Sequence, residues 1–189
     1  MRVLIAEDEA LIRMDMREML VEEGHEVVGE ARDGAEAIEF ARELKPEVVF
    51  MDVKMPGVDG IEAATVIGAE KIAPVVMVTA FSQARYVEDA SAAGAMGYLV
   101  KPFSKKDILP AMQVAVARFA EARALEEEVA GLEDRLETRK VVERAKGLMM
   151  LRGMTEPEAF GRLQKLAMDR RKTLREVAEA VLLASEAQE

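Results

Sequence analysis

The stretch VVFMDVKMPGVDG, Val48 to Gly60, ends an apolar run on a carboxylate, Asp52, and follows it with a Pro-Gly turn. An unpaired charge is costly to bury, so Asp52 must stand where a run built for burial meets something polar. Other runs share the pattern. RVLIAED (Arg2–Asp8), EVVGEA (Glu26–Ala31), EVVFMD (Glu47–Asp52), PVVMVTA (Pro74–Ala80) and GYLVK (Gly97–Lys101) are short, nearly continuous and bounded by Gly, Pro or charge. Runs of this kind predict strands buried on both faces of a parallel sheet. Amphipathic segments lie between them; Glu9–Glu23, for example, carries Leu11, Ile12, Met16, Met19 and Leu20 on one face. Strand alternating with helix five times predicts a doubly wound α/β fold.

The strand ends carry the chemistry. The first run ends in Glu7-Asp8, the third in Asp52, the fourth in Thr79-Ala80 and the fifth in Lys101-Pro102. In an open parallel sheet all carboxyl ends lie along one edge, where ligands bind. Three acids, a hydroxyl and a lysine are therefore expected at one crevice, with Asp52 at its lip. Clustered carboxylates repel one another, and a hard divalent cation relieves the repulsion; Mg²⁺ suits one or two carboxylates with retained water. An aspartate beside Mg²⁺ and Lys101 can act as a nucleophile toward phosphorus and yield an aspartyl-phosphate. Metal and ammonium neutralise charge developing on the phosphoryl oxygens, to which the Thr79 hydroxyl can donate.

Composition narrows the alternatives. The chain has 189 residues, half of them apolar, so one domain or two small ones can be built. No cysteine is present, which excludes disulfide and thiol chemistry and suggests a cytoplasmic setting. The single histidine, His25, rules out a His/Cys metal site and reads as an ordinary strand-entry residue. No apolar stretch approaches the ~18 residues of a membrane span, and the first residues lack a signal-peptide pattern. Charge is uneven. Residues 1–120 hold 13 basic and 21 acidic residues, whereas residues 135–175 hold 12 basic and 5 acidic. An acidic front and a basic rear suggest two tasks, the second with an anionic partner.

Residues 2–118 closely resemble the receiver domain of two-component response regulators. The resemblance rests on AEDE after the first strand, MDVKMPGVDG around Asp52, VTA after the fourth and YLVKPF after the fifth. It implies a flavodoxin-like, doubly wound, five-stranded parallel sheet in a domain of residues 1–118. It implies Asp52 as phosphoacceptor, and Mg²⁺ held by Asp8, Asp52 and the main-chain carbonyl of Lys54, with Glu7 assisting through water. Thr79 and Tyr98 are then the switch pair, Lys101 the phosphate counter-ion, and Lys101–Pro102 a cis peptide. Glu7 stands where aspartate is more usual. The added charge of about −1.5 to −2 would draw Thr79 in and let Tyr98 turn. The altered surface would comprise the fourth helix, the fifth strand and the fifth helix. The phosphodonor would be a sensor histidine kinase.

Residues 119–138 predict a helical connector that merges into the next domain. Pro110 stands as a slight kink in a helix capped by Ser104 or Asp107. Leu125, Val129, Leu132 and Leu136 follow the four-three-four spacing of a coiled-coil seam for under two heptads. A seam of this length is compatible with a helix packed on its own domain and with a homodimer formed on phosphorylation. Three helices follow. Val141, Val142, Ala145, Leu148, Met149 and Leu151 face inward on the first; Phe160, Leu163, Leu166, Ala167 and Met168 on the second; and Leu174, Val177, Ala178, Val181 and Leu182 on the third. TEPE (Thr155–Glu158) and TLRE (Thr173–Glu176) are capping boxes that start the second and third. Arg139, Lys140, Arg144, Lys146, Arg170, Arg171, Lys172 and Arg175 form a basic surface suited to phosphates.

This rear segment, residues 125–186, resembles the ANTAR domain, an RNA-binding module of transcription antitermination regulators. The marks are AKGLMM, MTEPEAF and AMDRRKTLREVA. A receiver followed by ANTAR resembles the actinobacterial antiterminators controlled by phosphorylation, which bind paired RNA hairpins in nascent transcripts. The resemblance implies a non-enzymatic regulator, with polar and arginine contacts to loop bases, since Phe160 is the domain's one aromatic. Alternative outputs are a DNA-binding response regulator, with TLREVAEAVLLAS as one helix of a helix-turn-helix, and a protein-interaction module.

Overall fold

The computed structural model describes residues 1–80 and 94–186. Contacts divide the chain into two units, Met1–Arg123 and Ala124–Glu189. The front unit runs β1 (Arg2–Ala6), α1 (Ala10–Glu22), β2 (Glu26–Ala31), α2 (Gly34–Leu44), β3 (Val48–Asp52), α3 (Gly60–Ala69), β4 (Val75–Thr79) and β5 (Gly97–Val100). The helix α4 (Lys105–Leu151) begins in it and continues into the rear unit. The five strands are parallel, in the order β2-β1-β3-β4-β5. This is the doubly wound sheet that the sequence predicts. The helix expected between β4 and β5 falls on residues 81–93, outside the described residues.

Alternation along each strand divides the core in two. Leu4, Val49, Met51, Val75 and Met77 pack with Ala37, Ala41, Ala63 and Ile67 of α2 and α3 on one face. Val3, Ile5, Phe50, Val76 and Val78 pack with Met16 and Leu20 of α1 and with Ile108, Met112 and Ala115 of α4 on the other. Burial on both faces holds for the central strands β3 and β4 throughout, and for β1 beyond Arg2. The edge strands β2 and β5 are mostly half-buried, because each has one neighbour and less cover.

Leu11 departs from the expected inward face of α1 and is 73% exposed. The inward row is Ile12, Met16 and Leu20 at spacings of four, the first half-buried and the other two buried, and a residue one position from a row points about 100° away from it. Asp33 and Asp59 cap α2 and α3 by accepting from the N–H groups of Glu36 and Glu62, each at 2.8 Å. Ser104 donates to Asp107 from its N–H and hydroxyl (2.9 and 2.7 Å) at the start of α4, which contains Pro110.

In the rear unit the last part of α4 joins α5 (Glu156–Arg170) and α6 (Leu174–Glu186) around Val142, Ala145, Met149, Ala159, Leu163, Val177 and Ala178. The Thr155 and Thr173 N–H groups donate to Glu158 and Glu176 at 2.8 and 2.7 Å, as the two capping boxes require. Two expected core residues of α5 lie outside. Met168 is 79% exposed and Phe160 also faces solvent, because the inward row runs through Ala159 and Leu163. Leu151, at the end of α4, is exposed as well. Leu125, Val129, Leu132 and Leu136 are all exposed on α4.

With so small a core, truncating its centre is expensive. Leu163→Ala should cost the rear unit about 2–5 kcal/mol, read as earlier loss of the helical circular-dichroism signal in urea. An unchanged midpoint would mean that Leu163 is not central to the packing.

Candidate functional site

The carboxyl edge of the sheet brings together residues from four strands. Glu7 (1% exposed) and Asp8 follow β1, Asp52 (6% exposed) ends β3, Thr79 (2% exposed) ends β4, and Lys101 follows β5. One oxygen from each of Glu7, Asp8 and Asp52 lies within 4.8 Å of the others. Lys101 Nζ lies 2.8 Å from Asp52 Oδ1, with Glu7 Oε1 and Oε2 at 3.0 and 2.7 Å. The nearer Glu7 oxygen, Oε2, lacks hydrogen-bond alignment despite that distance and has no other partner among the described residues. The Lys54 N–H donates to Asp52 Oδ2 at 2.9 Å and sets the rotation of that carboxylate. Asp8, Glu9, Asp52, Lys54, Thr79 and Lys101 are among the residues lining a cavity of about 300 Å³ at this edge.

Backbone hydrogen bonds fix these positions. The Val53 N–H donates to Val78 O at 2.9 Å and the Lys101 N–H to Thr79 O at 2.8 Å, which carries the ladder past the strand ends. Lys101–Pro102 is cis. Tyr98 pairs in register with Met77 and packs with the same core cluster, while Thr79 lies two residues beyond Met77. Thr79 and Tyr98 therefore share a face of the sheet, although Tyr98 does not line the acidic cavity.

Burial raises the carboxyl pKa of both Glu7 and Asp52, in spite of hydrogen bonds from Lys101. The charge of Asp52 adds to the rise at Glu7, and that of Asp8 to the rise at Asp52. Burial pulls Lys101 down, but its bonds to Asp52 and Glu7 outweigh this and raise it. One lysine thus serves two buried acids with a third acid beside them. The excess negative charge, the all-oxygen donor set and the poorly served Glu7 Oε2 fit a hard divalent cation.

Two contributors, Arg13 and Glu9, were not legible in the sequence, and a third, Gly60, left a signal there that was not used. Arg13 donates to the carbonyls of Glu7 (2.5 Å) and Asp8 (3.4 Å) and pairs with Glu30 (3.4 Å), holding the acidic loop from below. Glu9 donates its N–H to Glu7 Oε1 at 3.3 Å. Gly60 packs directly on the main chain of Asp52. The signal for Gly60 was present: a glycine straight after a capping aspartate, at the end of the stretch that holds Asp52.

The rear unit sorts its cations. Lys146 does not stand with the basic surface on which the sequence placed it. It is buried, bonded to Glu143 (3.0 Å) and Glu156 (2.7 Å), with its ammonium 5.8 Å from the centre of the Phe160 ring. Its charge is used to tie α4 to α5. Lys140 pairs with Glu137, Lys172 with Glu176, and Arg175 with Asp134 and Glu179. Among the described residues no ion pair engages Arg139, Arg144, Arg170 or Arg171, and all four are exposed. No described helix is long and apolar enough to cross a membrane.

The chain matches the response regulator receiver domain family over residues 3–113 and the ANTAR domain family over residues 130–182. It is 64% identical over 182 residues to the transcriptional regulatory protein PdtaR of Mycobacterium tuberculosis, covering 96% of this chain and 89% of that protein. Its front unit is similar to the response regulator domain of Thermotoga maritima CheB, at 32% identity and a TM-score of 0.58. That likeness covers 62% of this chain and 96% of the other. It is also similar to a chain of the CheX–CheY–BeF3–Mg²⁺ complex from Borrelia burgdorferi, at 28% identity and a TM-score of 0.54. The coverage there is 58% of this chain and 84% of the other.

Proposed function

For a chain that belongs to the response regulator receiver family and carries an ANTAR domain behind its receiver, we propose phosphorylation at Asp52 as the switch for RNA binding and transcription antitermination. The observation that carries this is the convergence of Asp8, Asp52 and Lys101 on one cavity at the carboxyl edge of the sheet, with the buried Glu7 beside them and bonded to Lys101. The working domain limits are 1–118 for the receiver and 125–186 for ANTAR, with residues 119–138 as the connector.

In this reading an Asp52 carboxylate oxygen attacks the phosphorus of a kinase phosphohistidine. The P–N bond breaks, its electron pair returns to the imidazole, and the phosphoryl group remains on Asp52 as an acyl phosphate. The donor is a separate sensor histidine kinase, since His25, the chain's one histidine, faces the Met1 amino group at 3.3 Å and lies outside the site. Asp8, Asp52, the Lys54 carbonyl and, through water, Glu7 would hold Mg²⁺, which when bound offsets charge on the phosphoryl oxygens. Lys101 faces the same oxygens from the opposite strand. Thr79 donates its hydroxyl to one of them, and Tyr98, on the same sheet face, takes up the space released. Asp52 is modified once per signal and no metabolite is turned over, so the protein acts as a regulator in the cytoplasm rather than an enzyme.

For the output, Arg139, Arg144, Arg170 and Arg171, exposed and engaged by no ion pair among the described residues, support contact with RNA phosphates. The paired Lys140, Lys172 and Arg175 take a lesser part. The DNA-reading alternative is weakened because Arg175, the basic residue at the start of α6, is already committed to Asp134 and Glu179. A recognition helix needs that position free for base edges. The exposed Leu125, Val129, Leu132 and Leu136 seam supports a homodimer on phosphorylation.

The test is affinity for a tandem-hairpin RNA, with and without acetyl phosphate and Mg²⁺, for wild type and Asp52→Ala. Phosphorylated wild type should bind on the order of tenfold tighter or more, with no change in the variant. Phosphoryl uptake at Asp52 with no RNA binding in either state would reject the RNA output and retain the receiver.

A further inference from the structure

Between α5 and α6 lies a cleft of about 230 Å³ in the rear unit. Leu166, Val177 and Val181 give it apolar walls, while Ala180 and Ala184 keep it open along α6. Arg170, Lys172 and Glu176 complete its lining, and Arg171 adjoins them in sequence. We propose that this cleft receives one unstacked base of an RNA loop, its flanking phosphates held by Arg170 and Arg171. The proposal rests on the RNA-binding reading above and specifies where a base is read.

Size, wall chemistry and charge agree. Pockets for drug-sized ligands measure about 300–1,000 Å³, so a cleft below that range suits a single base. RNA is read chiefly through splayed loop bases lodged against apolar or aromatic surfaces. This domain has one aromatic, Phe160, and it does not line the cleft. Aliphatic walls therefore take the place of a stacking ring. Glu176 makes the choice of base specific. Its Oε2 accepts from the Thr173 N–H (2.7 Å) and hydroxyl (3.0 Å), and Oε1 accepts from Lys172 Nζ (3.2 Å). A carboxylate has about four acceptor sites, so one remains for an exocyclic amino group. Adenine, guanine and cytosine carry such a group; uracil does not. A protein helix laid in the cleft would have to desolvate Arg170 and Arg171 and supply acids for them, whereas RNA brings its phosphates with the base.

The experiment uses the full chain, treated with acetyl phosphate and Mg²⁺, and a tandem-hairpin RNA in which each loop nucleotide is made abasic in turn. Ala180→Leu fills the cleft from an exposed helix position, and Ala184→Leu repeats the test one turn later; circular dichroism checks that both stay helical. In wild type, one abasic position that carries an amino-bearing base should weaken binding roughly tenfold or more. Both variants should bind intact RNA weaker by a similar factor and be indifferent to that position. Arg170→Ala should instead weaken all the RNAs alike and lower the salt slope by about one. Leucine variants that bind intact RNA like wild type, or still sense the abasic position, overturn the proposal. A change in sedimentation without a change in RNA affinity overturns it too, by assigning the cleft to a protein contact. Wild type that binds no hairpin RNA at all overturns the underlying RNA reading itself.

Discussion

Gly60→Ala is expected to destabilise the front unit by about 3 kcal/mol or more, the upper end of overpacking costs. A Cβ at Gly60 would lie 1.8 Å from the Asp52 carbonyl oxygen and 2.8 Å from its carbonyl carbon. Neither neighbour is a flexible side chain. The Gly60 N–H also donates to Val53 O at 3.1 Å, so the start of α3 cannot retreat without breaking that bond. Either α3 or the end of β3 must move, and the end of β3 is Asp52. Phosphoryl uptake should therefore fall together with stability. Gly131→Ala is the control: it lies in α4 with nothing within 4 Å of an added Cβ. The same chemical change there should stabilise by roughly 0.5–1 kcal/mol through helix propensity alone. Urea denaturation of both variants decides the matter, and equal midpoints for Gly60→Ala and wild type would refute the contact.

Asp52→Asn should do two things at once: abolish phosphoryl uptake and stabilise the metal-free protein at neutral pH. The second effect follows from the raised pKa of Asp52, whose largest cause is burial. A raised carboxyl holds its proton more tightly in the folded state than in the unfolded chain. Stability is then greatest below the ordinary carboxylate range, and it is lost as pH rises through that range to the raised value. The penalty is therefore felt on the neutral side of that range. An amide removes the penalty and leaves Lys101 with Glu7, at 2.7 Å. The lost Lys101–Asp52 contact at 2.8 Å opposes this, but the raised pKa already reflects that bond. Thermal melts at pH 7 without Mg²⁺ should show the variant melting above wild type. Added Mg²⁺ should narrow the gap by favouring wild type. A variant that melts below wild type without Mg²⁺ would show that the Lys101 bond outweighs desolvation.

Much of the front unit could be read along the chain, because a strand covered on both faces needs an unbroken apolar run and its end needs polar residues. Glu7, Asp8, Asp52, Thr79 and Lys101 each close such a run. Where cover was partial the reading was coarser. β2 and β5 carry similar residues but lie at the edges, and Leu11 sits one position off the buried row of α1. Phe160 and Met168 fit an apolar pattern on α5, yet its inward row passes through Ala159 and Leu163. Composition along a helix gives a face to within a residue or so, and the neighbouring helix sets the rest.

Strand and helix order, and the acids, hydroxyl and lysine along one sheet edge, follow from the order of residues alone. Periodicity and termination are local properties, and parallel connection carries all carboxyl ends to the same side. Ionic partnership is not local. Only the folded chain divides Lys101 between Glu7 and Asp52, presses Gly60 onto the Asp52 carbonyl, and buries Lys146 between Glu143 and Glu156 while Arg170 and Arg171 stay exposed. Charges of one type are alike in a sequence, and the distances at which they are paired or left open arise between elements far apart along it.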